Sequence, residues 1–274
     1  MSEDINWLKI FSKCKEKIWS NISPYIKTSF ELQPDLGKGA GGDSIKLVDL
    51  AAERAIIKTF MDHEITFTMI SEESGTKKFE GKSQHFYVTI DPIDGTTNLV
   101  HEIPFYCSSI AISTKPMLSS VNVGMVIDFV HNNTYFAEKD LGAYCNGKKI
   151  TPSNCSNFED AVIGLDLNDA KNNDFIPKII NLLTEIKHIR HLGANALEIC
   201  YVADGKIEAF VDIRGKLRTT DLAASYLLLK ESGGLLTNLE NIPLEAKLDP
   251  KKRINFIASG NTKINERILN LLKK

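Results

Sequence analysis

Residues 91–97 read DPIDGTT and follow directly on the apolar run HFYVTI (85–90). Asp91 and Asp94 thus sit at the end of a β-branched, aromatic segment that reads as a buried strand. Pro92 between them fixes φ and removes a donor, and Gly95 lets the backbone bend. Such rigidity can turn both carboxylates, and the Ile93 carbonyl, toward one point. Other acids hold comparable places. Glu72 and Glu73 follow ITFTMI (65–70), Asp221 lies in the first turn of TTDLAASYLLLK, and Asp49 lies within IKLVDLAAERAIIKTFM (45–61). Carboxylates, carbonyls and water are the ligands Mg2+ prefers. If Gly95 and Thr96 open a helix, their N–H groups add an anion seat beside the cation ligands. That combination is what metal-dependent phosphate chemistry needs. Taken singly, each acid has a plainer reading: Asp91 as a turn residue, Glu73 and Asp49 as surface acids, Asp221 as a helix-dipole partner.

The elements that must position these residues follow from patterning. Apolar positions at helical spacing run over 5–27, and a glycine-rich loop, LGKGAGGDS (36–44), precedes a second helix that Ser44 can cap. Residues 105–150 are strand-rich, with turns expected at Asn132-Asn133 and Asn146-Gly147. From 161 onward strands and helices alternate: AVIGLDL, DFIPKIINLLTEI, HIRHL, ANALEICYVADG, KIEAFVDI, TTDLAASYLLLKESGG, NFIASG and NTKINERILNLLKK. Alternation of this kind indicates layered α/β architecture. The polar run TPSNCSNFED (151–160) is the expected boundary between an N-terminal lobe, 1–155, and a C-terminal lobe, 156–274.

Composition narrows the function classes. A net charge of -2 gives no basic field for nucleic acid or an anionic membrane. No apolar run approaches the roughly 20 residues a membrane span requires. Five cysteines, an odd number without metal-ligand spacing, read as free thiols in a reducing compartment. With a start, MSEDINWLKIF, unlike a signal peptide, the expected location is cytoplasmic.

The clusters together resemble the inositol monophosphatase family. DPIDGTTNLVHEIPFYCSSIAI is similar to its first signature, with core D-P-[IL]-D-G-[ST]. TTDLAASYLLLKESGG resembles the second, W-D-x-A-[AG]-x-x-L-x-x-E-A-G-G, with Thr220 in place of Trp. SEES resembles the G-E-E-[ST] element, with Ser71 for Gly, and IKLVDLAAE resembles the metal-site helix. The resemblance implies an α+β fold, a layered α/β/α/β/α sandwich, and a Mg2+-dependent phosphomonoesterase. By position, Glu72, Asp91 and the Ile93 carbonyl hold a first metal, and Asp91, Asp94 and Asp221 a second. A third, weaker site adds Glu72 with Asp49, Glu73 or water. Phosphate lies on the N–H groups of Gly95 and Thr96. Metal-activated water, aimed by Glu72 and a Thr96–Asp49 pair, attacks in line. The family counterpart of the 39–42 loop is a mobile catalytic loop, and the expected assembly is a homodimer.

Substrate choice is expected to lie further along. Inositol-specific relatives carry an acid seven residues before the second-signature Asp, and here that position is Arg214. The resemblance is to the archaeal-type branch, which joins inositol monophosphatase and fructose-1,6-bisphosphatase activities. In that branch the positions of Arg190, Asn195 and Arg214 contact substrate, and an arginine fork suits a second anionic group. The expected substrate is a small phosphate ester: fructose 1,6-bisphosphate, with myo-inositol 1-phosphate beside it. Lys216 and Arg218 are either part of this basic end or a solvated face. His101 and His191 are expected to be structural. Two alternatives stand: an adenosine 3′,5′-bisphosphate type nucleotide as substrate, or a non-catalytic regulatory module on the same scaffold.

Overall fold

A computed structural model of the chain describes residues 5–26, 36–42, 46–168 and 175–273. Among these, two sheets and three helical layers stack as α/β/α/β/α. Helices α1 (Trp7–Ile22) and α2 (Leu47–Asp62) form the first layer. Ile10, Phe11, Cys14, Ile18 and Ile22 line one face of α1 at the spacing an amphipathic helix requires, and all are buried. They meet Phe60 of α2 together with Phe67, Val88 and Ile90 from the sheet beneath.

That sheet has the order β2-β1-β3-β4-β5-β6-β7-β8. Its strands are β1 (Thr66–Ser71), β2 (Gly75–Phe79), β3 (His85–Asp94), β4 (Cys107–Ser113), β5 (Val121–Asp128), β6 (Asn133–Glu138), β7 (Gly142–Cys145) and β8 (Lys148–Lys149). The short helix α3 (Thr96–Val100) follows β3. The second sheet runs β10-β9-β11-β13-β12. It is built from β9 (Val162–Leu165), β10 (His188–Arg190), β11 (Ala209–Arg218), β12 (Leu235–Thr237) and β13 (Arg253–Ser259). Helices α4 (Phe175–Glu185) and α7 (Thr262–Leu272) cover its outer face.

Between the sheets lie α5 (Asn195–Ala203) and α6 (Thr219–Ser232). Leu222, Ala223, Ala224, Leu227, Leu228 and Leu229 of α6 are all buried, so this helix is apolar around its whole circumference. Their core is continuous with residues of both sheets, from Val126 and Tyr135 to Phe210 and Phe256. The first sheet's strands end by 149 and the second's begin at 162, yet one core joins them.

Several elements depart from their sequence expectation. The first helix stops at Ile22, where Ser23–Tyr25 tighten into a 3₁₀ turn carrying Pro24. The expected cap at Ser44 lies outside the described residues, and α2 begins at Leu47. Strand β2, GTKKF, gives no apolar signal because it is an exposed edge whose lysines face solvent. Strand β11 continues past the expected KIEAFVDI to Arg218, through an irregularity between Asp212 and Leu217. The turn expected at Asn146-Gly147 is present, with φ of +50° and +77°. No helix among the described residues is long and apolar enough to cross a membrane. The central position of α6 yields a direct expectation. Leu228→Ala, at a fully buried site, should lower unfolding stability in urea by about 2–5 kcal/mol. A loss under about 1 kcal/mol would show that α6 is not the shared core.

Candidate active site

Strand register brings the first acids together. β1 and β3 run parallel, with Ser71 opposite Ile90, so Glu72 and Asp91 leave the sheet side by side. On the other side of β3, Asp91 pairs with Ser109 and Asp94 with Cys107. Three steps along β3 therefore match two along β4: DPID is a bulge, with Pro92 where the ladder is interrupted. Asp91 and Asp94 are thereby released from strict strand alternation. Gly95 follows at φ +87°, and a Cβ there would lie 3.0 Å from the Phe105 carbonyl and 3.1 Å from the Ala194 Cβ. The turn into α3 requires glycine on both counts.

Helix starts supply the other acids. Asp49 and Asp221 are each the third residue of their helix, and each reaches back to the backbone N–H three residues earlier. Asp49 Oδ2 accepts from Lys46 at 3.2 Å, and Asp221 Oδ2 from Arg218 at 3.1 Å. The reach back fixes both carboxylates at a helix N-terminus, where negative charge is favoured. The first turn of α5 does the same for Asp94, whose Oδ2 accepts from the Ala196 N–H at 2.6 Å.

Ligand atoms of Glu72, Asp91 and Asp221 lie within 4.8 Å of one another. All three line a cavity of about 900 Å3 together with Asp94, Gly95 and Thr96. Burial is the main force on the cluster, and repulsion from a neighbouring carboxylate the second for Glu72, Asp91 and Asp94. Burial and then the Asp221 carboxylate push Asp94 up to about 7. Burial and then Glu72 hold Asp91 well above the ordinary range, and burial and then Asp221 do the same to Glu72. Asp221 is raised by burial, with the Arg218 guanidinium opposing. Asp49 is raised to about 7 by burial, against a hydrogen bond from Thr96. The Thr96 hydroxyl lies 2.9 Å from Asp49 Oδ1 and 2.8 Å from the Ile93 carbonyl. One hydroxyl proton cannot serve both well, so engagement of the Ile93 carbonyl elsewhere would commit it to Asp49.

The substrate end of the cavity differs from expectation in two places. Arg190 is not brought into it: its guanidinium is exposed and donates to the Ile189 carbonyl at 2.8 Å. Successive residues of an extended chain face opposite ways, and it is His191 that faces inward, 3.0 Å from the Leu165 carbonyl and 3.1 Å from Asn168 Oδ1. Arg214 does line the cavity, but two acids take its fork. Nη2 is 2.6 Å from Asp166 and 2.5 Å from Asp212, and Nη1 donates to the Asn168 carbonyl at 2.7 Å. Asn195 lines the cavity with its buried side-chain oxygen unsatisfied. Lys216 is exposed at the mouth, and Glu73 and His101 also line the cavity.

Arg218 is the residue whose place sequence reasoning did not settle. It is buried and pairs with Glu72 Oε1 at 2.8 Å. The spacing R-x-x-D, three residues before Asp221, was the available signal. Arg253 reaches the same region from β13, and nothing local in the sequence marks it.

Similarity to known proteins runs over nearly the whole chain. Residues 8–274 match the Inositol monophosphatase family. The chain belongs to the inositol monophosphatase family. It is a phosphatase of this family, whose members are metal-dependent in general. Among relatives, it is 32% identical over 275 residues to a fructose-1,6-bisphosphatase/inositol-1-monophosphatase of Methanothermobacter thermautotrophicus, covering 97% of this chain and 96% of the relative. It is also 32% identical over 244 residues to a bifunctional NADP phosphatase/NAD kinase of Methanococcus maripaludis, covering 81% of this chain but 42% of that protein. A solved inositol monophosphatase-fructose 1,6 bisphosphatase superposes with a TM-score of 0.84 at 29% identity, over 97% of this chain and 100% of the other.

The raised carboxylates make a pH prediction. Asp49 and Asp94 hold protons up to about pH 7 in the folded chain, against 3.8 for an ordinary aspartate. Between those values the folded state binds more protons than the unfolded one, so stability falls as pH rises. In chelator, thermal unfolding should therefore come at lower temperature at about pH 8 than at about pH 5. Excess Mg2+ should raise the midpoint far more at the higher pH. A chelated protein more stable at the higher pH would contradict the repulsive cluster.

Proposed function

We propose that the chain is a Mg2+-dependent phosphomonoesterase acting on fructose 1,6-bisphosphate and on myo-inositol 1-phosphate. The observation that carries this reading is the buried acid cluster set against the Gly95–Thr96 turn in one cavity. The donor set fits a hard divalent cation. It is all oxygen, and its carboxylates are raised by burial and by one another, a conflict that bound cations relieve. Glu72, Asp91 and the Ile93 carbonyl would hold one ion, and Asp91, Asp94 and Asp221 another. Such ions neutralise phosphate charge and lower the pKa of bound water.

The chain's own groups do the rest. The N–H groups of Gly95 and Thr96, at the start of α3, bind phosphate oxygens. Thr96, hydrogen-bonded to Asp49, and Glu72 would orient the attacking water; one proton passes to a carboxylate, Glu72 directly or Asp49 through the Thr96 hydroxyl, and a proton returns to the leaving oxygen. The unsatisfied Asn195 oxygen accepts from a sugar hydroxyl. Lys216, exposed and lining the same cavity, contributes positive charge for the distal phosphate of a bisphosphate, beside an Arg214 fork held by Asp166 and Asp212. The near-complete mutual coverage with the archaeal fructose-1,6-bisphosphatase/inositol-1-monophosphatase supports this substrate class. Similarity to the bifunctional NADP phosphatase/NAD kinase supports a second reading, a 2′-phosphorylated dinucleotide. Presence of the whole acid set argues against a purely regulatory module. Free cysteines, with Cys145 and Cys155 partly exposed, support a reducing cytoplasm, and the family resemblance supports a homodimer.

Two experiments test the reading. Asp94→Asn keeps an acceptor for the Ala196 N–H and removes one like charge. It should lower kcat by at least about 100-fold without lowering the unfolding temperature in chelator. Turnover close to wild type would contradict the assignment. In a panel of fructose 1,6-bisphosphate, inositol 1-phosphate and NADP, the sugar bisphosphate should have the highest kcat/KM. Lys216→Ala should cut that value about tenfold and leave inositol 1-phosphate unchanged. Preference for NADP would replace this substrate with the second reading.

A further inference from the structure

Arg218 and Arg253 are direct cross-strand partners at the ends of β11 and β13. Like charges placed opposite one another in a sheet repel, so the pair needs acceptors that hold both. The structure provides them at one point. Arg218 Nη1 lies 2.8 Å from Glu72 Oε1 and 3.7 Å from Asp221 Oδ2. Arg218 Nη2 lies 3.4 Å from the Gly41 carbonyl, to which Arg253 Nη2 also donates. The glycine loop is thus held from above by two guanidiniums.

It is also held from below. Ala40 N–H donates to the Glu73 carbonyl at 2.9 Å, and Gly41 N–H to the Glu72 carbonyl at 2.8 Å. The fit is tight at residue 41, where a Cβ would lie 2.5 Å from Arg218 Nε and 3.0 Å from Glu72 Cγ and would push the Arg218 side chain aside. Glu72 is therefore gripped through its backbone by the loop and through its side chain by Arg218. A carboxylate has about four lone-pair sites and can accept from a guanidinium while ligating a metal.

We propose that Arg218 and Arg253 are a built-in cationic clasp that closes the 39–42 loop onto Glu72 through the chain's own side chains, and that Arg218 fills a cation position in the acid cluster. Arg218 is on this account a positioning residue for Glu72. Its fixed charge does on this side of the cluster what a further divalent ion would otherwise do. The second half of the inference rests on the metal-dependent reading above; the first half does not.

Trypsin cleavage after Lys38, followed by mass spectrometry in chelator, tests the clasp without any catalytic readout. Lys38 is exposed, but cutting there requires the adjoining loop to open. Wild type should be cut slowly in chelator, and Arg253→Met about tenfold faster, with Mg2+ failing to restore protection. Equal cleavage of the two proteins, or full rescue of Arg253→Met by Mg2+, overturns the clasp. Calorimetric titration with Mn2+ tests the resident cation. Arg218→Met should bind one more Mn2+ per chain than wild type, while Arg218→Lys should keep the wild-type number. Equal numbers for wild type and Arg218→Met overturn it. Absence of Mn2+ binding by wild type overturns it together with the metal-dependent reading, and leaves the clasp to the proteolysis result.

Discussion

Repulsion among buried carboxylates is the constraint on which the rest of the structure depends. Glu72, Asp91 and Asp221 present ligand atoms within 4.8 Å of one another, away from most of the water that would screen them. No folded chain keeps such a cluster unless its backbone is held rigidly from several sides. The parallel register of β1 and β3, the bulge at Pro92 and the first turns of α2, α5 and α6 are those restraints. The centrally buried α6 carries Asp221 on the same helix that joins the two sheets into one core. Core packing and site geometry are therefore fixed by the same element.

Charge is graded across the cavity. The inner end is acidic, with Arg218 and Arg253 at its flank; the outer end carries Lys216 and Arg214, the latter neutralised by Asp166 and Asp212. A phosphate can bridge the two ends only where positive charge is available at both. Inside, cations held by the carboxylates would supply that charge on the proposed reading. At the outer end it comes from the side chains of Lys216 and Arg214, which line the same cavity.

Much of the inner end was legible in the sequence because its residues act locally. DPIDGTT contains the bulge, the turn and the proposed phosphate seat within seven consecutive residues, and the bulge and turn follow from Pro92, Gly95 and the acid spacing. The layered architecture was legible from alternation of strands and helices, and α6 from its continuous apolar character. The outer end was less so, because its roles are set by distant partners. Nothing near Arg214 announces that Asp166 will take its charge, since that pair depends on β9 and β11 being neighbours. Arg190 lies outside the cavity lining because side-chain facing at the end of a three-residue strand is decided by neighbouring partners, not by residue type. Arg253 had no signal at all, because only cross-strand pairing with Arg218 brings it to the loop.

Anomalous diffraction from crystals grown with Mn2+ and inorganic phosphate tests the central claim most directly. The account predicts Mn2+ peaks ligated by Glu72, Asp91, Asp94 and Asp221, with phosphate on the Gly95–Thr96 amides. A fully occupied Mn2+ site elsewhere, with none at these four carboxylates, would contradict it.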